Sequence, residues 1–170
     1  RMSARQSLAE ADYCVDCHKQ SSDFCATGFP VKKNDRSQGF RQNPLGETLT
    51  GCPVEEKISE MHWLYKRGHL IAALSMIMRD NPLCALTGHR ICNECMKSCI
   101  YQKQTPVNIP QAETSILSQV LQLPWGVELY DLLMRWNPLR AQQWCVQPHH
   151  GIRVLIMGMG PAGISLAHHL

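Results

Sequence analysis

The sequence predicts a mainly α-helical fold that ends in one short strand and one further helix. Apolar residues recur at three- and four-residue spacing in several segments between residues 55 and 136, as they do on one face of an amphipathic helix. Prolines at positions 82 and 138 end two of these patterns. Only after Ile152 does a short continuous apolar run occur, and it leads directly into a glycine-rich loop.

The elements follow in chain order. Residues 1–52 are predicted to be rich in loops, because glycines and prolines break any sustained period. Within them, the basic stretch 30–41 is predicted to be a solvated loop. Residues 55–67 and 70–81 are predicted to form two helices separated by Gly68.

Two more helices are predicted before residue 140. One starts at Pro110, and the other carries the apolar face Leu129 to Trp136. No strand is predicted up to about residue 140. Residues 138–151 are predicted to be a linker, and the chain is expected to be a piece of a longer protein.

Composition excludes several functional classes. The 170 residues are 44% hydrophobic and 18% charged, which suits a globular domain. A net charge of +3 with 6% aromatic residues does not favour nucleic-acid binding. The apolar run 70–78 has nine residues, whereas a membrane span needs about 20, so no membrane association is expected. The first thirty residues hold no signal-peptide-like apolar segment, and a cytoplasmic location is expected.

Cysteine is the most informative residue type. The chain has nine cysteines, and an odd number without an export signal argues against a disulfide framework. They occur as Cys14-x-x-Cys17, Cys92-x-x-Cys95-x-x-x-Cys99 and Cys52-Pro53, among others. In bacterial iron-sulfur runs the cysteine before proline ligates the other cluster, so ligands of two centres are interleaved along the chain. The pattern favours two four-iron clusters.

A zinc site is the alternative. Cys14, Cys17, Cys92 and Cys95 could form a tetrahedral four-thiolate site, although 74 residues lie between the two pairs. Three histidines could each replace a thiolate, but a lone histidine is more often structural, and none is assigned as a ligand. They are His18, His62 and His89. Such a protein would be a structural or interaction module without redox activity.

The glycine-rich loop near the C-terminal end has the G-x-G-x-x-G spacing. Glycines at these positions let the backbone approach a pyrophosphate, and the amides of the following helix supply partial positive charge. The predicted cofactor-binding residues are Gly158, Gly160, Pro161, Ala162 and Gly163. The acid that binds the ribose, expected about 20 residues further on, is not in this chain.

Cysteine pairs in a helical region followed by a GxGPAG turn resemble the N-terminal dicluster domain of the glutamate synthase small subunit and dihydropyrimidine dehydrogenase family. The most specific stretch runs from Gly68, through Asn81-Pro82 and the trio of cysteines, to Pro106-Val107-Asn108-Ile109. The resemblance implies one cluster bound by Cys14, Cys17, Cys25 and Cys99. It implies a second cluster bound by Cys52, Cys92, Cys95 and Glu113. Local sequence alone makes Glu113 an ordinary first-turn helix glutamate.

The same resemblance implies the organisation and the function. Residues 1–140 are expected to be an α-helical ferredoxin-like iron-sulfur domain, 141–151 a linker, and 152–170 the incomplete start of a Rossmann-type FAD/NAD(P)-binding domain. The implied function is electron transfer through two 4Fe-4S clusters in a flavin-dependent, NAD(P)H-linked oxidoreductase. The expected partners are the remainder of the flavoprotein chain and a partner oxidoreductase subunit. These 170 residues alone are not expected to be catalytically competent.

One departure from the family pattern concerns the spacing of ligands. Between Cys25 and Cys52 lie 26 residues where the family usually has three, and Phe29-Pro30 stands where the Cys-Pro pair falls by short spacing. An inserted loop is expected between the two ligands. The remaining cysteines match no ligand position, and Cys84 is predicted to be buried while Cys145 is predicted to be incidental.

Overall fold

A computed structural model of the chain describes residues 1–33, 35–145, 148–149 and 151–170. This part of the chain contains nine α-helices and one two-stranded antiparallel sheet. The helices are α1 Ala4–Tyr13, α2 Phe24–Thr27, α3 Ile58–Tyr65, α4 Leu70–Asp80, α5 Cys84–Ile91, α6 Glu94–Lys97, α7 Ile109–Leu121, α8 Gly126–Arg135 and α9 Pro161–His169. The strands are β1 Pro30–Lys32 and β2 Asp35–Phe40, and a 3₁₀ turn spans Cys17–Gln20.

The mainly α-helical prediction is confirmed, and so are its individual helices. The helices α3, α4, α7 and α8 occupy the segments in which helices were predicted. Pro110 lies in the first turn of α7, where its missing N–H removes no helical hydrogen bond. None of the helices in the described ranges is long and apolar enough to cross a membrane.

The N-terminal segment is more regular than predicted. The helix α1 begins with a capping box, in which the Ser3 side chain accepts from the Gln6 N–H and the Gln6 side chain accepts from the Ser3 N–H. The described residues of the stretch 30–41 are solvated as predicted, but the prediction of a loop without strands is wrong, because β1 and β2 pair there. Neither strand has a buried face, so the alternation of apolar and polar residues that predicts a strand is missing from this stretch.

The strand predicted at Val154 to Met157 is also wrong. In the described residues 151–160 no strand forms, and Leu155 and Met157 are 85% and 89% exposed. An apolar run does not become a strand without a neighbour that pairs with its backbone groups. The helix predicted after the glycine loop is confirmed as α9. Of the predicted linker, Val146, Gln147 and His150 lie outside the described residues.

The core is built around α7, which packs against α1, α4, α5 and α8, while α3 packs on α4. The largest fully buried apolar side chains come from α3, α4 and α7. They are Ile58, Met61, Leu74, Met78, Ile109, Ile116 and Val120. Burial of each such side chain stabilises the fold by about 1.5–3 kcal/mol. This packing sets the spacing of the loops and helix ends that carry the cysteines.

Candidate metal centres

One pocket brings together the four thiols predicted for the first cluster. Cys14, Cys17, Cys25 and Cys99 all line it, and we call it the first pocket. Cys14 caps the C-terminal end of α1, and Cys17 begins the 3₁₀ turn. Cys25 lies in α2, and Cys99 follows α6. Four separate chain segments therefore converge on one place.

The thiols of the first pocket are held in a largely apolar environment. Burial raises the pKa of Cys14, and it raises the pKa of Cys17 to about 11. The Cys25 thiol donates a hydrogen bond to Cys99, which lowers the pKa of Cys99 to about 6 and raises that of Cys25. Thiolates in such a place need a cation, and metal binding there releases protons.

A second pocket brings together the other predicted set. Cys52, Cys92, Cys95 and Glu113 all line what we call the second pocket. Cys92 is exposed, whereas the other three are buried. Burial raises the pKa of Cys52 to about 11 and also raises that of Cys95. Both predicted ligand sets are thus together in space, and their roles as ligands stay predictions.

Glu113 is not an ordinary helix-start glutamate, since it is buried in α7. Its carboxyl donates a hydrogen bond to Glu56, another buried glutamate in the second pocket. Burial, and then the nearby Glu56 carboxylate, raise the pKa of Glu113, and burial raises that of Glu56. Two carboxyl groups buried together need a shared proton or a cation.

Glu56 is a residue that the sequence analysis missed. It belongs to the acidic start of the predicted helix 55–67, where acidic side chains usually face solvent and favour the helix dipole. The helix α3 begins only at Ile58, so Glu56 lies in the preceding loop and turns inward. No local sequence signal distinguishes the inward-turned Glu56 from an acidic side chain that faces solvent at the start of a helix.

The two predicted ligand sets are in direct contact with each other. The backbone N–H of Cys52 donates to the carbonyl of Cys25 at 2.8 Å, although the two residues belong to different ligand sets. Cys95 lies in α6 and Cys99 follows the end of that helix, so one short segment carries a residue of each set. The interleaving of ligands along the chain therefore becomes proximity in space.

The two ends of the long segment between Cys25 and Cys52 lie next to each other. It contains the β1–β2 hairpin, and the Phe29 N–H donates to the carbonyl of Leu49 at 2.9 Å near its base. Gly51 approaches Ala26 and Gly28 so closely that a Cβ at position 51 would lie 2.4 Å from the Gly28 nitrogen. The segment is thus a hairpin-containing loop that keeps its two flanking cysteines adjacent, and its status as an insertion relative to the family stays a prediction.

The thiols proposed for a zinc site do not meet. Cys14 and Cys17 line the first pocket, whereas Cys92 and Cys95 line the second. Across the described ranges, no three His, Cys, Asp or Glu side chains are arranged to hold a single metal ion. In a four-iron cluster each thiolate binds its own iron, so the ligands surround the cluster instead of meeting at one point. The side chain of His89 lies outside the described residues.

The prediction that Cys84 is buried is confirmed. Cys145 is exposed, and its incidental role stays a prediction.

The glycine-rich loop, predicted to bind a cofactor, contains two glycines with the backbone features of such motifs. Gly158 has φ +116°, and a Cβ on Gly163 would lie 2.2 Å from the Gly158 carbonyl oxygen. Gly163 therefore allows close packing of α9 on the loop, as the third glycine of such motifs does.

Residues 43–124 match the family described as dihydropyrimidine dehydrogenase domain II, 4Fe-4S cluster. This segment of the chain is therefore similar to that iron-sulfur domain family. The predicted resemblance is thereby confirmed. The match includes five of the eight predicted ligands, whereas Cys14, Cys17 and Cys25 precede it.

Individual relatives extend the similarity to most of the chain. The chain is 27% identical over 159 residues to the glutamate synthase [NADPH] small chain of Bacillus subtilis, covering 92% of this chain and 26% of that protein. It is 54% identical over 86 residues to the uncharacterised protein RP006 of Rickettsia prowazekii, covering 51% of this chain and 12% of that protein. It is 37% identical over 62 residues to RP005 of the same organism, covering 35% of this chain and 21% of that protein.

The chain therefore spans about a quarter or less of the length of each of these relatives. No solved structure matches it.

Proposed function

We propose that this chain carries electrons through two 4Fe-4S clusters. Cys14, Cys17, Cys25 and Cys99 hold one cluster in the first pocket, and the second pocket holds the other through Cys52, Cys92, Cys95 and Glu113. One observation carries the proposal: each pocket is lined by all four members of one predicted ligand set.

The donor chemistry of both pockets supports this assignment. Thiolates are the usual ligands of four-iron clusters, and the first pocket offers four of them in apolar surroundings. In the second pocket, the carboxyl of Glu113 takes the fourth position and is already buried beside Glu56. An iron bound there replaces the proton that the two carboxyl groups share in its absence.

The arrangement of the pockets favours transfer from one to the other. Clusters of this type accept and donate single electrons, at potentials set by their ligands, net charge, hydrogen bonds and burial. A backbone hydrogen bond joins Cys52 of one set to Cys25 of the other. The short segment that contains α6 also carries one ligand of each set. The exposed Cys92 marks the side of the second pocket from which electrons enter or leave.

In the complete protein, this α-helical ferredoxin-like domain precedes a Rossmann-type domain that begins near residue 152. The glycine-rich loop at Gly158–Gly163 would then hold the pyrophosphate of FAD or NAD(P), and these cofactors would supply hydride-transfer chemistry between nicotinamide and flavin. The similarity to a glutamate synthase small chain named for NADPH supports this proposal. We further propose a cytoplasmic protein whose electrons pass between the flavoprotein and a partner oxidoreductase subunit.

Anaerobic reconstitution with iron and sulfide tests the proposal. The protein should become brown, absorb broadly near about 400 nm and bind about eight irons per chain. The variant Cys95→Ala should lose the second cluster and keep about four irons, since Cys95 lines only the second pocket. Cys145→Ala is the matched control, because Cys145 is exposed and lies outside both pockets.

The competing zinc module makes the opposite prediction. A colourless protein that binds stoichiometric zinc and no iron under these conditions would contradict electron transfer. Equal iron content in Cys95→Ala and Cys145→Ala would contradict the assignment of the second pocket.

A further inference from the structure

The first pocket contains a buried polar side chain that its four thiols do not explain. His62 lies in α3, is 0% exposed and lines this pocket. Neither of its ring nitrogens has a hydrogen-bond partner among the described residues. Buried polar groups in native proteins are nearly always hydrogen-bonded, so an unpartnered imidazole at this place needs an explanation.

The other polar side chains around the pocket do not supply a partner. The hydroxyl of Ser59 lies 2.7 Å from Nδ1 of His18, and the carboxylate oxygens of Asp23 make no hydrogen bond to His62 or to any other described residue. The rest of the lining is apolar or thiol, apart from Tyr101, whose hydroxyl donates to the carbonyl of Tyr13. The imidazole therefore lines the pocket together with the four thiols and has no hydrogen-bond partner among the described residues.

The charge state of His62 defines what it can offer to that space. Burial, and then the ammonium of Lys66, lower the pKa of His62 to about 4, so the ring is neutral near pH 7. A neutral imidazole carries one N–H donor. Sulfur atoms of a bound cluster are acceptors for such a donor, and hydrogen bonds to them tune the potential of the cluster.

We propose that His62 donates its ring N–H to a sulfur of the cluster in the first pocket and so raises the reduction potential of that cluster. The inference rests on the proposed function. The reduced cluster carries one more negative charge than the oxidised cluster, so a donor aimed at its sulfur stabilises the reduced state more. His62 is thus a positioning residue for electron transfer and not a ligand.

A redox titration followed by electron paramagnetic resonance tests this role on the reconstituted protein. His62→Leu removes the donor, and it should lower the reduced-to-oxidised ratio of the first cluster about tenfold at a given solution potential, or about 59 mV for one electron. The second cluster should keep its potential. His62→Gln retains an N–H donor and should restore most of the shift, while His69→Leu, at an exposed position, should change neither cluster.

Pulsed electron paramagnetic resonance on protein with ¹⁵N-labelled histidine gives a second readout that does not depend on the leucine variant. A weak nitrogen coupling to the first cluster is expected, and it should vanish in His62→Gln. An unchanged potential in His62→Leu, an absent coupling, or one that persists in His62→Gln would overturn the inference. A coupling strong enough for direct iron ligation would overturn it as well. Failure of the wild-type protein to bind any cluster would instead refute the proposed function.

Discussion

The neck of the hairpin insertion is the place where Gly51 packs against Ala26 and Gly28. Replacing Gly51 with alanine should loosen this neck and thereby disturb both pockets. Gly51 has φ +77°, and a Cβ there would lie 2.4 Å from the Gly28 nitrogen and 2.7 Å from the Ala26 carbonyl oxygen. These are backbone atoms, which cannot rotate away as a flexible side chain can. The two chain segments that enter and leave the insertion must therefore move apart, and this movement separates Cys25 from Cys52.

The expected loss of stability has two physical parts. A non-glycine residue in the left-handed region costs about 1–2 kcal/mol. Forcing extra volume into a packed place costs about 1–3 kcal/mol more. Gly46 has φ +81° but nothing within 4 Å of its Cβ position, so Gly46→Ala suffers only the first loss. The difference between the two variants isolates the close contact at the neck.

Urea unfolding of the two reconstituted variants measures this difference. With a slope of about 1–3 kcal/mol per molar urea, Gly51→Ala should unfold at a urea concentration lower by about 1 M than Gly46→Ala. Iron analysis gives the functional consequence: Gly51→Ala should lose iron from both pockets, because the neck joins one ligand of each. Equal unfolding midpoints together with full iron content in Gly51→Ala would refute the reasoning that the neck holds Cys25 beside Cys52.

Three further predictions concern the cofactors. Strict removal of iron should reduce the helical circular dichroism and the melting temperature, since each cluster ties together distant segments; unchanged values would contradict a structural role. Glu113→Ala should alter the resonance signal of the second cluster alone, while Gln111→Ala, exposed on the same helix, should alter neither; two unaltered signals in Glu113→Ala would make Glu113 a non-ligand. These 170 residues should bind neither FAD nor NAD(P)H appreciably, because the apolar run before Gly158 is exposed and unpaired; stoichiometric flavin binding in a fluorescence titration would refute this.

The sequence by itself determined the helices α3, α4, α7, α8 and α9 and the type of chemistry. Helix formation in α4 and α7 depends on residues three and four positions apart, so the apolar period and proline reveal it locally. Thiolate chemistry likewise depends on residue type, and short spacings such as Cys92 to Cys95 disclose it without a structure. The capping box at Ser3 is an equally local feature, but α1 was not among the predicted helices.

Only the tertiary structure decided which distant groups share a pocket. The adjacency of Cys25 and Cys52 depends on a hairpin that returns to its origin, and the pairing of Glu113 with Glu56 depends on a loop turning inward. The tertiary structure also decided that the apolar run after Ile152 forms no strand, because the described residues offer its backbone no partner. Contacts between segments far apart in the chain depend on packing and on burial of polar groups, and local spacing carries no record of either.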